Sequence, residues 1–251
     1  MRAMLAVVML GAAVELGAQA PAGSPALLRF DSLVVAGDVA AAAQVLSAEA
    51  TRAPREFQVL WRQSRLRLLQ GDAALAQSRQ QGRLYEAALQ TAEQAIGVNG
   101  TAPEGYVRRA AAAGKVALFS GVLDAADYVL QAKADAEKVI AMPNVEPTLL
   151  ATAHYILGRT HLKLTETPRP MRMPIGLGFG NLEDAGVHLR RARELRPRFV
   201  MFELEYARVL VAEGKAAEAR PVLQALAALP DGEPGDAGRK AEAAELLRTL
   251  R

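Results

Sequence analysis

The chain has 251 residues and a formal net charge of +3; 51% of it is hydrophobic, 23% charged and 5% aromatic. That apolar share supplies a core and excludes a wholly disordered chain. The absence of cysteine excludes a disulfide framework, a thiolate metal site and a cysteine nucleophile. The charge alone is too slight to indicate nucleic acid. Alanine fills about a fifth of the chain, which favours closely packed helices because Ala is the best helix former and leaves little room between helix axes.

Arg2 gives a short positive start, residues 3–14 form an apolar run, and the small-x-small triplet Ala18-Gln19-Ala20 precedes Pro21. This is the order of a secretory leader cleaved after Ala20. The run spans about 18 Å as helix, short of the roughly 30 Å hydrocarbon core of a membrane. An uncleaved N-terminal anchor is the alternative reading, and Glu15 is an unusual neighbour for the run. The expectation is a signal peptide over residues 1–20, one repeat domain over 21–251, and export to a bacterial periplasm or the cell exterior. Losing residues 1–20 removes Arg2 and Glu15, so the charge stays at +3. No other run approaches the ~18 apolar residues of a span, so the mature chain is expected to cross no membrane.

Gly and Pro punctuate the rest into repeated helix-turn-helix units. Gly37-Asp38, Ala42, Leu46 and Pro54 mark the first unit. Ser64-Arg65 and Gly71-Asp72 open the second, closed by a helix through Leu84, Ala88, Leu89, Ala92, Ala95 and Ile96. Gly114-Lys115 and Gly121 open the third, continued by Ala126, Leu130 and Val139 up to Pro143. Gly158-Arg159 opens the fourth, whose second helix carries Ala185, Leu189, Ala192 and Leu195 and stops at Pro197. Ala207-Arg208 and Gly214 open the fifth; Ala219, Leu223 and Leu226 form one stripe ending at Pro230. Residues 237–250 read as a terminal cap with a polar outer face. Phe30 to Ser64 is 34 residues, the tetratricopeptide period. Later units are longer, the fourth by a Pro/Gly-rich excursion over residues 165–180. Sustained period-two alternation is missing, which argues against strands. The predicted fold is all-α, a tetratricopeptide-like α-solenoid of about five helix pairs with a C-terminal capping helix.

The order of these residues resembles a known family. It runs from Trp61 and Arg65 through Tyr85-Glu86-Ala87-Ala88-Leu89, Gly114-Lys115 with Leu118, and Gly158-Arg159. It continues through Pro174-Ile175-Gly176-Leu177-Gly178, Ala185, Ala192, Leu195-Arg196-Pro197, Ala219-Arg220 and Leu229-Pro230. Over roughly residues 55–250 the chain is similar to the regulator of microtubule dynamics family of tetratricopeptide-repeat proteins and its bacterial relatives. The resemblance implies an all-helical repeat fold and a binding role without catalysis. The family's eukaryotic members are tied to microtubules; the export leader is a departure from them.

A small residue is followed by a base four times: Ser64-Arg65, Gly114-Lys115, Gly158-Arg159 and Ala207-Arg208. In such an array the first helices line the concave surface, and Arg65, Lys115, Arg159 and Arg208 are expected to form a ladder along one groove. Low-dielectric walls focus the field of such a ladder on an acidic ligand, and Arg can fork onto a carboxylate. The expected partner is therefore an acidic or C-terminal protein segment. Ordinary solvated charges, or pairing with groove acids such as Glu203, are the plainer reading. Trp61 and Tyr155 on first helices could stack on a ligand or simply pack, and His154 is a further candidate for the groove. The alternative function is binding of a carboxylate-bearing or apolar solute, with the region around residues 171–174 closing a pocket.

The histidines, His154, His161 and His188, lack the H-E-x-x-H spacing of a helical zinc site. Gly176, Gly178 and Gly180 lack the Lys-Ser/Thr of a phosphate loop. Neither metal, cofactor nor catalysis is expected. The basic cluster from Arg190 to Arg198 lacks the interleaved aromatics of a single-strand nucleic-acid surface.

Overall fold

The computed structural model describes residues 24–250, so the expected leader lies outside the described residues. Among these, twelve α-helices follow one another as five antiparallel pairs, a short unpaired helix within the fourth pair and a cap. The pairs are α1 (Pro25–Val35) with α2 (Val39–Arg52), α3 (Phe57–Ala73) with α4 (Arg79–Val98), and α5 (Pro103–Val116) with α6 (Val122–Ala141). They continue with α7 (Pro147–Thr165), which skips the short α8 (Arg169–Arg172) to pair with α9 (Leu182–Leu195). The fifth pair is α10 (Val200–Ala212) with α11 (Ala216–Leu226), and α12 (Asp236–Thr249) closes the array.

Local chemistry sets the boundaries. Ser24, Asp38, Ser78 and Asn181 each accept a backbone N–H from the first turn of the helix they precede, removing an orphan donor. Glu146 does the same for Thr148 and Leu149, ahead of Pro147. Gly214, at φ +75°, reverses the chain after α10, a left-handed conformation that costs Gly little.

Packing follows the small residues. At Gly158 a Cβ would stand 2.6 Å from Leu189 Cγ and 3.1 Å from the Ala185 carbonyl, so only Gly lets α7 approach α9 this closely. Ser64 is fully buried and donates to the Ala88 carbonyl at 2.8 Å. Ala207 is fully buried in α10. Gly114 differs from the expected pattern: it is exposed, and a Cβ there would meet nothing within 4 Å. The fully buried small residues nearby in α5 are Ala110, Ala112 and Ala113. The apolar core is drawn out along the stack, largest between α3 and α10, with separate clusters at the first pair and around α10–α12.

The first helices touch in succession, α3 to α5, α5 to α7, α7 to α10, and α10 to α12. They form the inner layer; α4, α6, α9 and α11 lie outside them. The excursion after α7 is tied down by Arg172, which is buried and donates to the carbonyls of Thr167, Leu177 and Gly180. It packs beside α7, with the Phe179 ring edge-on to His161 and Gly180 against Leu164. No helix among the described residues is long and apolar enough to cross a membrane.

Candidate functional site

The inner helices curl around one hollow of about 1380 Å³. Arg65, Lys115, Arg159, Arg208 and Tyr155 all line it. Its walls also carry apolar residues such as Leu68, Leu149, Ile156 and Leu204. Eight basic and five acidic side chains face the space, so its net character is positive. The α11–α12 loop and the start of α12 reach across it, bringing in Glu233, Arg239 and Glu242. The cap therefore turns one polar flank inward, where the sequence suggested polarity outward only.

Each of the four ladder residues already has an acidic neighbour. Arg65 lies 3.1 Å from Glu233 and 3.7 Å from Asp31. Lys115 pairs with Asp72, which also accepts from the Tyr85 hydroxyl at 2.7 Å. Burial, then Asp72, raises the pKa of that phenol, so it stays a donor. Arg159 donates to Glu205 at 2.7 Å and to the Tyr155 hydroxyl at 3.0 Å. The same Glu205 oxygen accepts from Arg208 at 2.6 Å, and Arg208 extends its other arm to Glu242. Glu205 is 2% exposed, and its second oxygen is buried without a hydrogen bond. The acid that joins Arg159 to Arg208 is thus Glu205; Glu203 pairs instead with Arg193 at 2.7 Å.

The structure corrects two expected groove positions. Trp61 does not line the hollow: it packs with Phe57, Leu60 and Ala95, donates to Gln58 at 2.9 Å and lies under the Arg62 guanidinium. His154 faces α9, with its Nδ1 3.0 Å from that of His188, because it lies on the face of α7 that carries Gly158 and His161, opposite the one that lines the hollow. His161 lies in the same row, 5.9 Å from the His188 ring. Burial first, then His188, lowers the pKa of His154 to about 4; burial likewise lowers His161 and His188. Among the described residues no group of three or more His, Asp or Glu is placed to hold a metal ion. The excursion does not close the hollow either; only its flanks, Thr165, Glu166 and Leu182, reach the lining.

Arg108 was not singled out in the sequence. It stands one turn before Ala111, the inner-facing residue that follows the buried Ala110. Its guanidinium lines the hollow and lies 5.9 Å from the Trp61 ring, and its Nε is buried without a hydrogen bond. Burial first, then the Arg65 charge, lowers its pKa to about 10. The available signal was the doublet Arg108-Arg109, of which Arg109 turns outward to fork onto Asp135 at 2.7 Å.

Stacked helix pairs around an inner hollow define a tetratricopeptide-like α-solenoid, an architecture whose concave surface serves protein–protein interaction. The fold is similar to the crystal structure of TTC0263, a thermophilic TPR protein in Thermus thermophilus. The TM-score is 0.65 at 17% identity, covering 89% of this chain and 97% of that one. A crystal structure of MamA aligns at a TM-score of 0.43 and 14% identity, covering 86% of this chain and 96% of that one. The sequence profile of the family described as Regulator of microtubule dynamics protein 1-3 matches residues 26–251, and the chain belongs to that family. No curated protein matches the sequence.

Proposed function

We propose that this protein is a non-catalytic, exported bacterial scaffold whose hollow receives an acidic or C-terminal segment of a protein partner. The observation that carries the reading is the shared placement of Arg65, Arg108, Lys115, Arg159 and Arg208 around one space with an excess of positive charge. Of the carboxylates that pair with them, Asp72, Glu233 and Glu242 are partly or well exposed and can exchange with an incoming acid, whereas the buried Glu205 stays in place. Apolar stretches between the cations give side chains of an extended segment somewhere to bury. The leader-like order of residues 1–20 supports export, and the microtubule role in the family's name is not carried over to a chain in that compartment.

The test is fluorescence anisotropy of a labelled twelve-residue acidic peptide with a free C-terminus, titrated with the purified protein. The expected result is saturable binding that weakens about tenfold or more in the double variant Arg159→Gln/Arg208→Gln and falls with salt. Binding that is absent, or indifferent to both changes, overturns the reading.

A further inference from the structure

Beside the α11–α12 loop, three guanidinium groups from distant helices lie together on the wall of the hollow. They are Arg65 on α3, Arg108 on α5 and Arg196 just after α9. One carboxylate sits among them. Glu233, in the α11–α12 loop, lies 3.1 Å from Arg65 and 3.7 Å from Arg196. We propose that Arg65, Arg108 and Arg196 form a carboxylate-binding subsite in which Glu233 is the resident occupant, and that an Asp or Glu side chain of the partner displaces it. This inference rests on the functional reading above and names the subsite of the hollow where recognition begins.

Charge balance makes the first argument. Arg62 adjoins the cluster through Asp31, which accepts from it at 2.6 Å and lies 3.7 Å from Arg65. Four guanidinium groups thus face two carboxylates, Asp31 and Glu233. Glu104 acts on Arg108, and Asp236 and then Glu146 on Arg196, from beyond ion-pair distance, Asp236 being paired with Arg239. Among the described residues Arg108 makes no ion pair, and its buried Nε has no hydrogen-bond partner. A partly buried site with surplus cations favours having a carboxylate in place, whether Glu233 or one from a partner, because few waters compete there. The missing charge agrees with the downward shift at Arg108, caused by burial and then by Arg65.

Loop construction makes the second. Glu233 is presented by a shaped turn. Asp236, 1% exposed, accepts from the backbone N–H groups of Gly232 at 2.8 Å and Glu233 at 3.0 Å. Its other oxygen takes Arg239 at 2.6 Å. Lys240 ties the turn to α12 through the Leu229 carbonyl at 2.6 Å. Gly232 presses on the Phe199 ring, over which Arg196 stacks at 3.5 Å. The carboxylate therefore arrives in a fixed orientation, as a bound ligand's would. Its pairings remain those of an exchangeable contact: Glu233 is 19% exposed, and its contact with Arg196 is too long for a hydrogen bond.

Two readouts test this. Glu233→Ala leaves an arginine-lined vacancy that a free carboxylate can fill. Melting is compared in about 0.2 M acetate and in chloride of equal ionic strength. A rise of a few degrees with acetate is expected in Glu233→Ala, and neither in wild type nor in Glu233→Ala/Arg108→Gln. Glu233→Gln, which keeps shape and folding, is expected to bind the acidic peptide about tenfold more tightly, whether or not its C-terminus is amidated. No acetate-specific rise overturns the subsite. A rise without tighter peptide binding in Glu233→Gln overturns the displacement. If acetate rescues Glu233→Ala but neither wild type nor Glu233→Gln binds the peptide, the subsite stands and the functional reading of the hollow fails.

Discussion

Glu205 is the side chain on which the middle of the hollow depends, and Glu205→Gln isolates its charge. The carboxylate is 3% exposed at its side chain, while its partners Arg159 and Arg208 are 34% and 32% exposed. Breaking a fully buried pair costs about 3–5 kcal/mol and an exposed one about 0–1; this half-buried triad lies between, at about 2 kcal/mol. The loss includes the repulsion of two guanidinium groups, of which Arg208 keeps Glu242 and Arg159 keeps only the Tyr155 hydroxyl. For a domain of this size each kcal/mol moves the melting point by about 2–4 °C, so a fall of roughly 4–8 °C is expected by calorimetry in dilute salt. At about 0.5 M salt screening acts within ~4 Å, and about half of the fall should be regained. Glu203→Gln, whose partner Arg193 lies outside the hollow, serves as the control with a smaller change. A Glu205→Gln melting point within about 1 °C of wild type at both salt levels would refute the assignment of Glu205 as the shared counter-ion of Arg159 and Arg208.

Two glycines should respond in opposite directions. Gly158→Ala forces a methyl into Leu189 and should cost about 1–3 kcal/mol in denaturant unfolding; Gly114→Ala, in open space, should gain about 0.5 kcal/mol. The histidine row gives a pH dependence. Folding lowers the His154 pKa from 6.5 to about 4, so the unfolded chain takes up the proton first. Stability is full above about pH 6.5 and is lost as pH falls toward 4. After discounting for its partial exposure, His154 contributes about 1–2 kcal/mol of that loss by pH 4. Urea unfolding should show His154→Gln to be less acid-sensitive than wild type, and equal slopes against pH would count against the row. Arg172→Leu removes the donor to three carbonyls in the excursion, so limited chymotrypsin digestion should cut after Phe179 about tenfold faster; an unchanged rate would show that the segment is held by other contacts.

The helix pairs were legible in the sequence because their signals are local. Asp38, Ser78 and Asn181 cap the helices that follow them, Gly214 takes the turn its position suggests, and Gly158 lies under Leu189 in the register of the Ala/Leu stripe. The inward direction of Arg65, Arg159 and Arg208 was legible for the same reason, each following a buried small residue. Gly114 misled because a small residue near a helix end looks the same whether it faces a neighbour or solvent. Lys115 reaches the hollow nonetheless, one turn beyond Ala111. The counter-ions were not legible. Arg65 meets Glu233 across 168 positions, a contact set by the curvature summed over four repeats, which no local pattern encodes. Arg108 was hidden for a related reason: only the curl of the array decides which member of Arg108-Arg109 looks inward. His154 and Trp61 were misplaced because a periodic pattern marks a face without saying which neighbour covers it.

Photo-crosslinking tests the central claim most directly. The acidic peptide, carrying one benzophenone, is irradiated with the purified protein and the adducts are mapped by mass spectrometry. Labelling is expected on inner walls, at the partly exposed Leu149, Met201 or Val211, and should be suppressed by excess unlabelled peptide. Competable labelling confined to the outward-facing Leu123, Leu130 or Val187 would contradict the account.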